Sequence, residues 1–211
     1  MDSFDLFKEQ QRLAPRIQLN DGFTSVKKIA GIDTFAPDKH TLLAQVVVCE
    51  FPSFKIIEQK SYTLHDPLLY RPGFSAYREM PAMIEAYNLL DEEPDVIIVK
   101  GEGILHPRRI GLASHLGLIL NKPTIGVLAS LPYGKVEKGK IFFNQEICGF
   151  EVITREHANP VYISPGHLVT LGSALNLISK SIKFPHKLPE PLHLAHKLRK
   201  RMNKQKREIT C

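Results

Sequence analysis

Two short apolar runs, DVIIV at residues 95–99 and KPTIGVL at 122–128, constrain the fold more than any other feature of the chain. Neither alternates polar with apolar positions, so each suits a strand covered on both faces, as in a parallel sheet. Between them a helical stripe over 108–120 carries Ile110, Ala113, Gly117 and Leu120. Three β-rich runs come earlier: VKKIAGIDTF at 26–35, TLLAQVVVCE at 41–50 and FKIIEQKSYTL at 54–64, separated by turn residues as in an antiparallel meander. A helix is predicted over 77–91, with Met80, Met83, Ile84, Tyr87 and Leu90 on one face and Pro81 in its first turn. After a polar hairpin over 135–154, SPGH at 164–167 leads into a helix lined by Leu168, Leu171, Leu175, Ile178 and Ile182. A last helix over 191–207 points Leu192, Ala195, Leu198 and Met202 inward. The fold class is α/β: three antiparallel strands, then parallel strands, in one mixed sheet with helices on both faces.

At 211 residues, one domain over 1–194 with the end of a helix and a basic tail over 195–211 fits the length. Cys49, Cys148 and Cys211 are widely spaced and form no zinc pattern, which argues for a reducing compartment. The first residues carry no basic segment followed by an apolar core, and no run approaches a membrane span, so an intracellular protein is expected, cytoplasmic or, in a eukaryote, nuclear. Of 28 Lys and Arg, seven lie within residues 197–207, and the remaining 21 face 22 Asp and Glu. The positive charge is therefore a property of the tail, suited to a polyanion such as DNA or RNA. The competing reading is a solvated helix end, where cations favour the macrodipole.

In open α/β sheets the working residues sit at the carboxyl ends of strands. Asp33 closes the first strand and Lys100 the fourth. Singly, each candidate has a plain structural reading: Asp33 as a turn former, Glu79 as a partner for its helix N-terminus, and the turn YRPG at 70–73 as a packed loop around Tyr70. His106 with Arg108 and Arg109 is harder to set aside, because two arginines at a helix start oppose the dipole and suggest a bound anion.

Taken together the segments match something specific. GID at 31–33, YRPGFSAYRE at 70–79, the stretch from Gly101 to His115 with HPRRIGLASH, KPTIGV at 122–127, SPGH at 164–167 and LPEPLHLAH at 188–196 occur in that order. The chain thereby resembles endonuclease V, a family of nucleases acting on deaminated bases, chiefly inosine, in DNA or RNA. The resemblance spans about residues 30–196 and implies a ribonuclease-H-like fold. It implies cleavage at the second phosphodiester 3′ of the lesion, with Mg²⁺ or Mn²⁺ held by carboxylates. By resemblance, Asp33 and Glu79 are metal ligands, and both are catalytic together with His196, which stands near the metal. Tyr70 with Arg71, Pro72 and Gly73 matches a wedge that fills the gap left by a flipped base. Gly101, Gly103, His106 and Gly111 match the base pocket and backbone contacts, beside Arg108, Arg109 and Leu128.

The chain departs from this pattern at one place. KGEG at 100–103 stands where the family reads Asp-Gly-x-Gly, so Lys100 replaces a metal ligand with a cation. Ala129 replaces a lysine that by resemblance helps hold phosphate or water, and Leu128 replaces a small residue and narrows the base pocket. The expectation is an ammonium of Lys100 paired with Asp33 and Glu79, relieving repulsion between the carboxylates. Glu102, two residues on, is the candidate to restore an acidic ligand. Three functions compete: a nuclease using Mg²⁺ or Mn²⁺, a nucleic-acid-binding protein without catalysis or metal, and a protein-interaction scaffold. The spacing of His193 and His196 is better read as helix than as a metal pair.

Overall fold

The computed structural model describes residues 3–155 and 158–209, with side chains as far as Arg199. Nine strands form one sheet in the order β3-β2-β1-β4-β5-β9-β8-β7-β6. The meander is β1 (Lys28–Phe35), β2 (Thr41–Glu50) and β3 (Ile56–His65), all antiparallel. The two apolar runs become β4 (Val96–Lys100), parallel to β1, and β5 (Thr124–Leu128), parallel to β4. The far half is antiparallel: β6 (Lys135–Glu137), β7 (Lys140–Phe143), β8 (Glu146–Val152) and β9 (Val161–His167), which pairs with β5.

Side chains on a strand alternate between faces, and β4 divides its apolar content that way. Ile97 and Val99 join Ala30, Ile32 and Val46 beneath α2 (Ser75–Asn88) and α3 (Leu112–Leu120). Val96 and Ile98 join Ile29, Ile125 and Val127 on the opposite face, against α4 (Leu171–Lys180) and α5 (Glu190–Ile209). Burying each such side chain contributes roughly 1.5–3 kcal/mol, which is why neither run tolerates the polar alternation of a one-faced strand. Among the described residues no helix is long and apolar enough to cross a membrane.

Four local expectations are corrected. Pro81 lies in the second turn of α2, on its exposed side, because the helix begins at Ser75 and not near 77. Arg108 and Arg109 precede α3, which starts at Leu112; Arg109 has a left-handed φ of 56° that no helix accommodates. Ser164–His167 is the end of β9, hydrogen-bonded to β5, and Leu168 turns the chain with φ 51° before Thr170 caps α4. The chain also opens with a helix that periodicity does not predict, α1 (Ser3–Leu13), which buries Leu6, Gln10 and Leu13. In α5, Leu192 and Ala195 are buried and Leu198 packs beside them. Met202 and the basic side chains from 200 onward lie outside the described residues.

Candidate functional site

Parallel pairing of β1 with β4 stops at Ile32 opposite Val99, so the next residues, Asp33 and Lys100, stand side by side. Lys100 ends β4, whereas Asp33 does not close β1 as expected, because pairing with β2 carries that strand on to Phe35. Lys100 Nζ lies 3.1 Å from Asp33 Oδ1. The contact is an ion pair without the alignment of a hydrogen bond, for Asp33 Oδ1 has no hydrogen-bond partner. The carboxylate is 1% exposed. Its other oxygen, Oδ2, accepts from His196 Nδ1 at 3.2 Å and from Arg199 Nη1 at 3.3 Å.

Both of those donors come from α5, and a glycine explains how the helix gets close enough. A Cβ at Gly31 would stand 2.2 Å from the carbonyl of Pro191, so only a bare backbone on β1 admits α5 at this distance. His196 Nε2 in turn accepts from Arg199 Nη2 at 3.3 Å, and the guanidinium lies 5.0 Å over the ring of Phe35. Burial and the neighbouring Arg199 lower the His196 pKa, against the pull of Asp33. The imidazole is thus a neutral relay between a cation and an anion.

Glu79 reaches the same place from α2, where Thr34 Oγ1 donates a hydrogen bond to its carboxylate. Burial raises the Glu79 pKa; Thr34 opposes, while the charges of Glu102 and Asp33 add to the rise. The expected pairing of Lys100 with both carboxylates is therefore corrected in part. Lys100 pairs with Asp33, whereas the partner of Glu79 is the Thr34 hydroxyl.

These groups face a cleft of about 450 Å³, shared with Tyr70, Glu102, Leu128, Ala129 and Arg199. Mg²⁺ and Mn²⁺ require several converging oxygen ligands. Among the described residues no three His, Cys, Asp or Glu converge in that way. Asp33, the deepest carboxylate, is committed to Lys100, His196 and Arg199. The residues present do not fit either ion.

The glycines of the next loop lie on other backbones. Gly103 N donates to Ser164 Oγ at 2.9 Å, and Gly111 N to the Gly103 carbonyl at 3.0 Å. A Cβ at Gly103 would stand 2.1 Å from Pro165 O, and one at Gly126 would stand 2.4 Å from Gly103 N. Gly101 and Leu128 line the cleft, whose floor this stacking holds in place.

The HPRR segment is tied to neighbouring protein groups, while Pro107, Arg108 and Arg109 also line an open pocket beside Gln11 and Pro15. Gly73, in the left-handed region with φ 76°, offers its carbonyl to three donors: Arg108 Nη2 at 2.7 Å, His106 Nε2 at 3.1 Å and Gln10 Nε2 at 3.1 Å. Arg108 also donates to Gln10 Oε1 and stacks 4.7 Å over Phe74. His106 Nδ1 accepts the Arg108 N–H at 3.2 Å, and burial, then Arg108, pushes the His106 pKa down to about 4. Arg109 pairs with Glu146 at 2.5 Å. Tyr70 remains 65% exposed at the cleft mouth, beside Arg71, which donates to Ser3 Oγ at 2.9 Å. Pro72 and Gly73 form the turn that follows them.

Three participants carry little or no signal in the sequence. Thr34 has one in its position beside Asp33; Arg199 merges into the basic tail, although it follows His196 by three residues on one helix face; Gln10 has none.

The family model for endonuclease V matches residues 11–197. The chain is 38% identical over 199 residues to an endonuclease V of Nostoc, covering 90% of each chain. It is 36% identical over 198 residues to that of Rippkaea orientalis, covering 90% of this chain and 86% of the relative. The catalytic domain of human endonuclease V superposes with a TM-score of 0.85 at 26% identity, over 96% of both chains. Endonuclease V of Ciona intestinalis, solved in complex with a 24mer DNA containing an inosine followed by a ribo-adenosine, gives 0.86 at 26% identity, over 95% of this chain and 98% of that one.

Proposed function

Because this chain belongs to the endonuclease V family, with its ribonuclease-H-like fold, we propose that it binds DNA or RNA in the cleft at the ends of β1 and β4 without cleaving it. The family's nucleases are generally metal-dependent, and the observation that carries the proposal is the state of Asp33. Its carboxylate serves Lys100 at 3.1 Å, His196 at 3.2 Å and Arg199 at 3.3 Å. A ligand so occupied, beside a cation that repels metal, leaves Mg²⁺ or Mn²⁺ no centre to bind. The exposed Tyr70 and the cleft beside it support nucleic acid as the ligand, as does the solved complex of the Ciona relative with inosine-containing DNA.

The test is a paired binding and nicking assay on labelled inosine-containing DNA and RNA, with Mg²⁺ and then Mn²⁺. The natural protein is expected to shift the oligonucleotide and leave it whole. Nicking by the natural protein overturns the proposal. A Lys100→Asp, Ala129→Lys variant that nicks where the natural protein does not traces the difference to those two positions. Absence of binding to every oligonucleotide favours a protein-interaction role.

A second reading rests on Glu102, which shares the cleft with Glu79 and adds to the rise in its pKa. Here Glu102 substitutes for the missing aspartate, and the protein nicks with Mn²⁺ until Glu102→Gln removes the activity.

A further inference from the structure

The floor of the cleft holds more positive than negative charge around its deepest group. Asp33 is one carboxylate, and two permanent cations touch it: Lys100 at 3.1 Å and Arg199 at 3.3 Å. His196, its third partner, accepts from Arg199 through Nε2 at 3.3 Å, so its ring adds no charge in this arrangement. The trio of Asp33, Lys100 and Arg199 therefore carries one unit of positive charge, which reaches the open cleft through Lys100.

The two cations also keep donors in reserve. The Lys100 side chain is 40% exposed, and an ammonium carries more N–H groups than its single contact to Asp33 employs. Arg199 directs Nη1 to Asp33 and Nη2 to His196, while its stacking on Phe35 fixes the plane of the guanidinium. Both residues line the cleft. Glu102 and Glu79 line the same cleft, and the Glu79 carboxylate accepts a hydrogen bond from Thr34. Arg78 lines the same cleft but gives Nη1 to the Leu68 carbonyl. Ala129, at the end of the adjoining strand, has no donor to give.

We propose that Lys100 and Arg199 form a metal-free phosphodiester site, in which the two cations, oriented by Asp33, hold the non-bridging oxygens of one backbone phosphate. The proposal rests on the nucleic-acid-binding reading above and adds the group recognised and the residues that recognise it. Asp33 acts as a positioning residue, and a phosphate replaces water on the exposed sides of both cations. A planar guanidinium beside an ammonium suits a tetrahedral oxyanion, the first offering paired donors and the second a point charge.

The experiment measures oligonucleotide affinity by fluorescence anisotropy in EDTA across a salt series, with DNA and RNA arms. Removing the grip on one phosphate should lower the slope of log K against log salt by about 0.7 for a single strand or 0.9 for a duplex. Lys100→Gln and Arg199→Gln are each expected to weaken binding about tenfold. Their double variant should show the slope change of one phosphate and not of two, since both cations meet the same group. Lys100→Arg, which retains the charge, should keep the slope. A neutral methylphosphonate scanned along the strand gives a readout independent of protein folding. At one linkage it should weaken the natural protein and leave the double variant unaffected.

Equal sensitivity of natural and double-variant proteins at every linkage overturns the proposal, as does binding that vanishes in EDTA. Nicking on addition of metal sinks the non-cleaving reading while leaving the EDTA measurements to judge the phosphate pair. Failure of the natural protein to bind any oligonucleotide removes both.

Discussion

Arg108 Nη2 donates to the Gly73 carbonyl at 2.7 Å, tying the turn that carries Tyr70 to the segment that precedes α3. Gln10 completes the tie by donating to the same carbonyl and accepting from Arg108 Nε. A hydrogen bond from a charged group contributes about 1.5–3 kcal/mol, and stacking over Phe74 at 4.7 Å adds to it. Arg108→Ala is expected to lower the urea unfolding free energy by about 2 kcal/mol and Gln10→Ala by about 1 kcal/mol. The double variant should fall short of the sum, because the two share one acceptor. Strict additivity would mean that α1 and the turn are not coupled through Gly73.

Asp33 should matter more to stability than Lys100. Asp33→Asn leaves two cations beside each other with no buried counter-charge, a change that costs about 3–5 kcal/mol. Lys100→Gln leaves Asp33 with Arg199 and His196, and the lysine side chain is 40% exposed. Its loss should therefore cost about 1 kcal/mol at most. Equal effects of the two variants in urea unfolding at neutral pH would contradict this ranking.

A divalent cation that binds the native state raises the unfolding midpoint by mass action. Titrating Mn²⁺ into the natural protein is expected to leave the thermal midpoint unchanged. The Lys100→Asp variant, which places a carboxylate beside Asp33 and Glu79, is expected to show a rise that EDTA reverses. A midpoint that climbs with Mn²⁺ in the natural protein would show that Asp33 releases its partners for a metal.

The central sheet was legible because both faces of β4 are covered, which forces the unbroken run Val96–Val99 that periodicity detects. The meeting of Lys100 with Asp33 was legible for a related reason, since adjacent parallel strands bring residues of matching register to one place. Arg199 was hidden because a basic run gives no sign of which cation turns inward; that depends on how closely α5 approaches β1 at Gly31. The role of Arg108 was hidden because its acceptor is a backbone carbonyl, which carries no sequence signature. Helix α1 buries three residues, Leu6, Gln10 and Leu13, and one of them is polar, so its stripe is weak.

The loop over β5 and β9 offers a steric test. A Cβ at Gly103 would meet the carbonyl oxygens of Pro165 at 2.1 Å and Ser164 at 2.7 Å, both backbone atoms that cannot swing aside. Gly103→Ala is expected to cost about 1–3 kcal/mol, as overpacking does, and to disturb the cleft beside Gly101. Gly172, early in α4, meets nothing within 4 Å. Gly172→Ala should be neutral or stabilise by up to about 1 kcal/mol through helix propensity. Calorimetry of the two variants checks the contrast, and a stable Gly103→Ala protein would mean that the loop can lift off the sheet.

His106 makes the fold sensitive to acid. It donates through Nε2 to Gly73 and accepts the Arg108 N–H at Nδ1, an arrangement that requires the neutral ring. Burial, followed by the charge of Arg108, moves its pKa from the ordinary 6.5 to about 4. Below pH 6.5 the unfolded chain takes up a proton that the folded chain refuses until about pH 4. The contribution of His106 is therefore fully present above pH 6.5 and is lost as the pH falls to about 4. Over that window the loss amounts to about 3 kcal/mol. His106→Gln keeps a donor for Gly73 and cannot titrate. His115, His167, His193 and His196 are lowered in the same direction and remain in both proteins, so the difference between the two pH–stability curves isolates His106. The natural protein should lose stability more steeply between pH 6.5 and 4, and parallel curves would mean that His106 is already protonated in the native state.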